Sequence, residues 1–114
     1  MEVEMRLAIV GSRSISKIRI ENYIKESDCE IVSGGARGVD LCAAEYARAN
    51  KLTLVEFLPD YKRYGRAAPL VRNREIVDYA DRIIIFWNGS SRGTLSVIEY
   101  AKAKEKPYEV IICE

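Results

Sequence analysis

The chain has 114 residues, 48% of them hydrophobic and 31% charged, with a formal net charge of +1 and no histidine. Such a length and apolar content suit a single domain over residues 1–114 with a layered hydrophobic core, and they argue against a disordered chain. Without histidine there is no Ser-His-Asp or Cys-His nucleophile system and no ordinary zinc site, and the near-neutral charge argues against nucleic acid as a partner.

Met1 to Val10 reads MEVEMRLAIV, with acids where a secretory signal would be positive. The longest apolar run, Ile83 to Trp87, is far too short to cross a bilayer. A cytoplasmic protein with no membrane contact is therefore expected. Arg6 to Val10 predicts the first strand, and Ser14 or Ser16 is placed to cap a helix carrying Ile20, Tyr23 and Ile24. Glu30 to Ser33 predicts a second strand, followed by a helix from Arg37 to about Asn50 with Val39, Cys42, Ala43, Tyr46 and Ala47 at helical spacing. Thr53 to Leu58 is a third strand, and Asp60 to Gly65 a loop whose Tyr61 and Tyr64 either stack on a base or pack the loop.

Pro69 suits the first turn of a third helix, with Val71, Ile76, Val77 and Ala80 inward. Arg82 to Trp87 reads as a strand buried on both faces, and Thr94 to about Lys104 as a helix. Tyr108 to Cys113 closes the series as a fifth strand. Cys29, Cys42 and Cys113 form no CxxC pair and are expected as reduced thiols packed in the core.

Strand and helix alternate strictly, which implies a Rossmann-like, doubly wound α/β sheet of five mainly parallel strands with helices on both faces. The simplest order is 3-2-1-4-5, and ligands of such sheets sit where the winding reverses, beyond the carboxyl ends of the strands. Three loops are expected there: GSRSIS (Gly11 to Ser16), SGGARGVD (Ser33 to Asp40) and NGSSRGT (Asn88 to Thr94). Each combines glycine, hydroxyls and one arginine, and each is read as opening a helix. Glycine admits close backbone approach, helix-start amides and the helix dipole favour an anion, and guanidinium forks grip phosphate oxygens. None of the three matches the Walker A or GxGxxG patterns, so neither a P-loop ATPase nor a standard dinucleotide domain is indicated.

Together with PDYKRYGRAAPLVRNREIVDYAD and FWNGSSRGTLSVIEYAK, these strings resemble the SLOG superfamily. That Rossmann-like group holds the DNA-processing protein DprA/Smf and the Lonely guy hydrolases. Within it the chain is most similar to the small single-domain YspA/YpsA-related branch. The resemblance implies binding of nucleotides or nucleotide-derived ligands. Lonely guy enzymes carry GGxGTxxE, whose glutamate serves N-glycosidic cleavage. Here SSRGTLSV puts Val97 in its place, and Glu99 lies about 200° further around the helix.

The candidate ligand-binding residues are Gly11, Ser12 and Arg13; Gly34, Gly35, Arg37, Gly38 and Asp40; Arg72 and Asn73; and Ser91, Gly93 and Thr94. Several have structural alternatives. Ser12 is a phosphate donor or a helix cap, and Asp40 is a structural helix-start carboxylate, a ribose acceptor or a base. Arg72 and Asn73 reach the cleft from its side or form surface salt bridges, and Trp87 is a wall or core side chain rather than a base stacker. The leading reading is binding or sensing of a nucleotide, nucleotide-sugar or related phosphate compound. The alternatives are a nucleotide hydrolase using Asp40, Glu75 or Glu99, and a single-stranded DNA binder. No cofactor and no metal site are expected, and exposed helix faces allow protomers to pair.

Overall fold

Side-chain alternation along the first strand builds both layers of the core. In β1 (Met5–Gly11), Leu7 and Ile9 join one buried cluster while Ala8 and Val10 join the other. β1 lies between β2 (Asp28–Ser33) and β4 (Arg82–Trp87), parallel to both, with Leu7 opposite Ile31 and Ile9 opposite Ile84. β3 (Thr53–Glu56) and β5 (Tyr108–Ile112) form the two edges, giving the order β3-β2-β1-β4-β5, all parallel. The computed structural model describes residues 5–25 and 28–113. Ile83, Ile84, Ile85 and Phe86 of β4 are all buried, as a strand covered on both faces requires.

α1 (Val39–Ala49) covers one face with Val39, Ala43 and Ala47. The other face is covered by α3 (Ala68–Tyr79) through Ile76 and Val77 and by α4 (Arg92–Ala103) through Val97 and Ala101. Before α3 the chain forms a single turn, α2 (Tyr61–Tyr64), where sequence reading expects a loop; the Asp60 carboxylate caps it by accepting from Arg63 N at 3.1 Å. Among the described residues no helix is long and apolar enough to cross a membrane.

The helix expected between β1 and β2 does not form. Residues 12–25 run irregularly around one 3-10 turn, Ile20–Asn22. Ile15, Ile18 and Ile20 are stiff at χ1, and serine at 12, 14 and 16 offers the backbone competing hydrogen bonds, so helix gains little here. Burial decides instead: Ile15 and Ile20 enter the α1-side core, and Tyr23 meets Phe86 edge to face at 5.3 Å. The three cysteines are free and half-buried rather than sealed in the core.

An ion pair ties this segment to the amino-terminal end of the sheet. Arg82 pairs with the Asp28 carboxylate through Nη2, donates from Nε to Asp28 Oδ1 at 3.1 Å, and donates to Tyr23 O at 3.0 Å. Asp28 is buried, so removing either partner strands the other charge. Asp28→Ala is expected to lower unfolding free energy by about 3–5 kcal/mol in urea titrations. Asp81→Ala, whose partner Arg6 is exposed, should cost much less. Equal losses would show that the Asp28 pair is not a stability determinant.

Candidate functional site

The carboxyl ends of β1, β2 and β4 face a cleft of about 410 Å³ at the point where the winding reverses. Ser12, the first residue past β1, is almost fully buried. Its amide donates to Phe86 O at 3.0 Å, its Oγ accepts from Asn88 N at 3.2 Å, and the same Oγ lies 3.4 Å from Thr94 Oγ1. The first and last loops are thus stitched together across the β1/β4 junction. Ser12 caps no helix.

The loop from Asn88 to Ser91 is folded by its own polar groups. Asn88 Oδ1 accepts from the amides of Ser90 and Ser91 at 2.9 and 2.8 Å, and Trp87 Nε1 donates to Ser91 O at 3.0 Å. Ser91 then caps α4: its Oγ accepts from Thr94 N at 3.3 Å and lies 3.1 Å from Thr94 Oγ1. Among the described residues the amides of Arg92 and Gly93, the first two of α4, take no partner. Helix-start donors and three hydroxyls therefore meet at one wall of the cleft. Trp87 acts through its indole N–H as a brace for this loop, a use its apolar bulk in the sequence conceals.

The opposite wall holds two buried charges. Asp40 sits in the first turn of α1 and is 6% exposed. Its Oδ2 accepts from Ala36 N at 3.2 Å, while Oδ1 is buried with no partner. Burial pushes its carboxyl up to about 6, against the opposing effects of the Ala36 amide and the Arg72 and Arg13 guanidiniums. Arg72 comes from α3 and is equally buried; Nη1 donates to Gly34 O and Nε to Asn73 Oδ1 at 2.9 Å. Burial lowers its proton affinity, with Asp40 opposing that shift. Sequence reading anticipates neither burial of Arg72 nor its role as a backbone clamp.

Gly34 makes this arrangement sterically possible. A side chain there would stand 2.7 Å from Arg72 Nη1 and 2.9 Å from Asp40 Oδ2. Gly38, the residue before α1, has φ +78° and packs against the carbonyls of Arg13 and Ile15, so it shapes the second loop without lining the cleft.

Of the sequence candidates, Gly11, Ser12, Arg13, Asp40, Arg72, Asn73, Ser91, Gly93 and Thr94 all line this cleft. Gly34, Gly35 and Arg37 line a smaller adjoining pocket. Ser14 and Asn88 also line the cleft, joined by Asn88 Nδ2 to Ser14 Oγ at 3.1 Å. The signal for Asn88 is the NGS string and its power to fold a side-chain-capped turn, and Ser14 belongs to the GSRSIS loop. Two of the three loops open helices, at α1 and α4; the GSRSIS loop does not. Glu99 lies in a separate surface groove beside Arg74 and Tyr100, and Glu75 is exposed on α3 outside the cleft. Val97, in the position of the Lonely guy glutamate, is buried in the cleft wall. Tyr61 and Tyr64 are exposed and outside the cleft lining.

A reversal-point cleft lined by helix-start amides, hydroxyls and arginines on a parallel α/β sheet defines a Rossmann-like module. The chain belongs to the YspA, cpYpsA-related SLOG family, whose model matches residues 5–64, more than half of it. It is thus a SLOG module, of a general kind that binds nucleotides, other ligands or nucleic acid. Its fold is similar to that of DNA processing protein A (DprA) from Streptococcus pneumoniae, with a TM-score of 0.77 and 22% identity. That match covers 97% of this chain and 51% of the DprA chain, so the chain spans about half of that protein's length. No curated protein matches it.

The likeness to a protein named for DNA processing overturns the expectation that nucleic acid is an unlikely partner. Net charge was the wrong measure. It averages over the whole surface, whereas Arg13, Arg37 and Arg72 gather at one end of the sheet.

The Asp40 environment has a pH signature. The native carboxyl protonates near 6, against an ordinary value of 3.8 in the unfolded chain. Above about pH 6 the native state carries the whole cost of the buried charge, about 3 kcal/mol. That cost is relieved as pH falls from 6 to below 4, because the native state then binds the extra proton. Asp40→Asn is therefore expected to raise stability most at about pH 8, with its advantage shrinking through that window. Urea titrations across the range check this, and a pH-independent difference would contradict the assigned environment.

Proposed function

We propose that the cleft binds a phosphate-bearing nucleotide unit, its phosphate at the start of α4 between Ser12, Ser91, Thr94 and the open amides of Arg92 and Gly93. The observation that carries this reading is the convergence of unpartnered amides and buried hydroxyls from two separate loops on one cleft that also holds Arg13 and Arg72. Asp40, with one oxygen unpartnered, suits a donor group on the ligand, such as a sugar hydroxyl, rather than a second phosphate.

Binding is favoured over hydrolysis because Val97 fills the wall where the Lonely guy glutamate would stand, leaving Asp40 as the carboxylate of the cleft lining. A second reading is that the same phosphate site receives a single-stranded DNA segment, and the fold shared with DNA processing protein A favours it. The two readings separate by salt dependence. A strand contacting several cations loses affinity steeply with salt, whereas a mononucleotide contacting one or two loses little.

Gly93→Asp tests the phosphate position. Nothing lies within 4 Å of a Cβ built at Gly93, so the variant is expected to fold. A carboxylate in the first turn favours the helix by about 0.3–1 kcal/mol, yet repels an anion there. Calorimetric titration with adenosine monophosphate and with a short deoxyoligonucleotide should show at least tenfold weaker binding of whichever ligand the parent takes, with the melting temperature held. Unchanged affinity would remove phosphate from the α4 terminus.

A further inference from the structure

Beside the cleft, on the other side of Ala36, lies a pocket of about 150 Å³. Arg13, Ala36 and Arg72 line both cavities, so the two are adjoining compartments divided by those residues. The smaller pocket adds Arg37, with Gly34, Gly35 and Pro59. Three arginines and no acidic residue line it, Arg72 buried and Arg13 and Arg37 exposed. The two ion pairs among the described residues, Arg82 with Asp28 and Arg6 with Asp81, involve none of these arginines. Among the described residues neither Arg13 nor Arg37 donates a side-chain hydrogen bond or forms a salt bridge. Asp40 Oδ2 would lie 2.9 Å from a Cβ at Gly34, and Glu56 Oε2 3.4 Å from a Cβ at Gly35.

Asp40 offsets part of the charge of Arg13 and Arg72, and Arg37 adds a further like charge that an anion in this space would neutralise. A guanidinium matches phosphate geometry with two parallel N–H groups. The compartment has room for a phosphate-sized group, and the glycines at 34 and 35 leave backbone rather than side chains on one wall. On these grounds we propose that the ligand carries a second phosphate, held by Arg37 and Arg13 in this side pocket while the first occupies the α4 terminus. The inference rests on the nucleotide reading above. It makes the preferred ligand class one with two phosphates, either joined in a diphosphate or successive along a strand.

The test compares adenosine monophosphate, adenosine diphosphate and the dinucleotide pdApdA by calorimetric titration against the whole chain. At least one two-phosphate ligand is expected to bind tenfold or more tighter than the monophosphate. A gain with the diphosphate identifies bridged phosphates, and a gain with pdApdA alone identifies strand phosphates. Arg37→Ala should bring the two-phosphate and one-phosphate affinities within about twofold of each other. Arg48→Ala, which removes the same charge from the last turn of α1, should keep the parent's ratio. No gain from a second phosphate, or a gain that survives Arg37→Ala, would overturn the inference while leaving the nucleotide site standing. If neither the monophosphate nor any two-phosphate ligand binds, the nucleotide reading itself fails.

Discussion

The cleft depends on two buried charges brought together from opposite faces of the sheet. Asp40 belongs to α1 on one face and Arg72 to α3 on the other, and both reach Gly34, past the carboxyl end of β2, where a side chain would collide with each. Asp40 keeps one oxygen without a partner, and desolvation raises its proton affinity. Buried and incompletely paired groups are costly and tend to be retained where a site needs them. Arg72 meanwhile holds the backbone of the second loop through Gly34 O, so the loop's shape and the cleft's electrostatics have one cause.

The other wall follows from topology. Because β1 and β4 are neighbours while their following segments leave toward opposite faces, a gap opens between Ser12 and the start of α4. Ser12 and Thr94 close its base with their hydroxyls, and Asn88 and Trp87 hold the rim in place. The apolar side of the same cleft includes Val97, so the position at which a hydrolytic relative would present a carboxylate here presents a methyl-bearing wall. The scaffold is shared across a superfamily of different activities.

Charge is distributed in a way that totals conceal. A formal +1 spread evenly would attract no polyanion, but Arg13, Arg37 and Arg72 share one small compartment with no carboxylate in its lining. The attraction a ligand meets is local, set by a few guanidiniums in a concave, partly desolvated space. Both free nucleotides and nucleic-acid phosphates fit that description.

Hydrophobic periodicity alone determined the parallel sheet, its strand order and the helices that flank it, since strict alternation with right-handed crossovers leaves few topologies. The glycine, hydroxyl and arginine strings likewise marked most of the residues that line the cleft. Tertiary packing decided the rest. Residues 12–25 lost their helix because Ile15, Ile20 and Tyr23 gain more from burial than from helical hydrogen bonds. The approach to Gly34 of Asp40 and Arg72, separated by 32 positions in the numbering, and the bracing by the Trp87 indole had no local signature. Local sequence sets backbone preference, but partners distant in sequence become neighbours only when the sheet closes, and only then do burial and charge take the values that define a site.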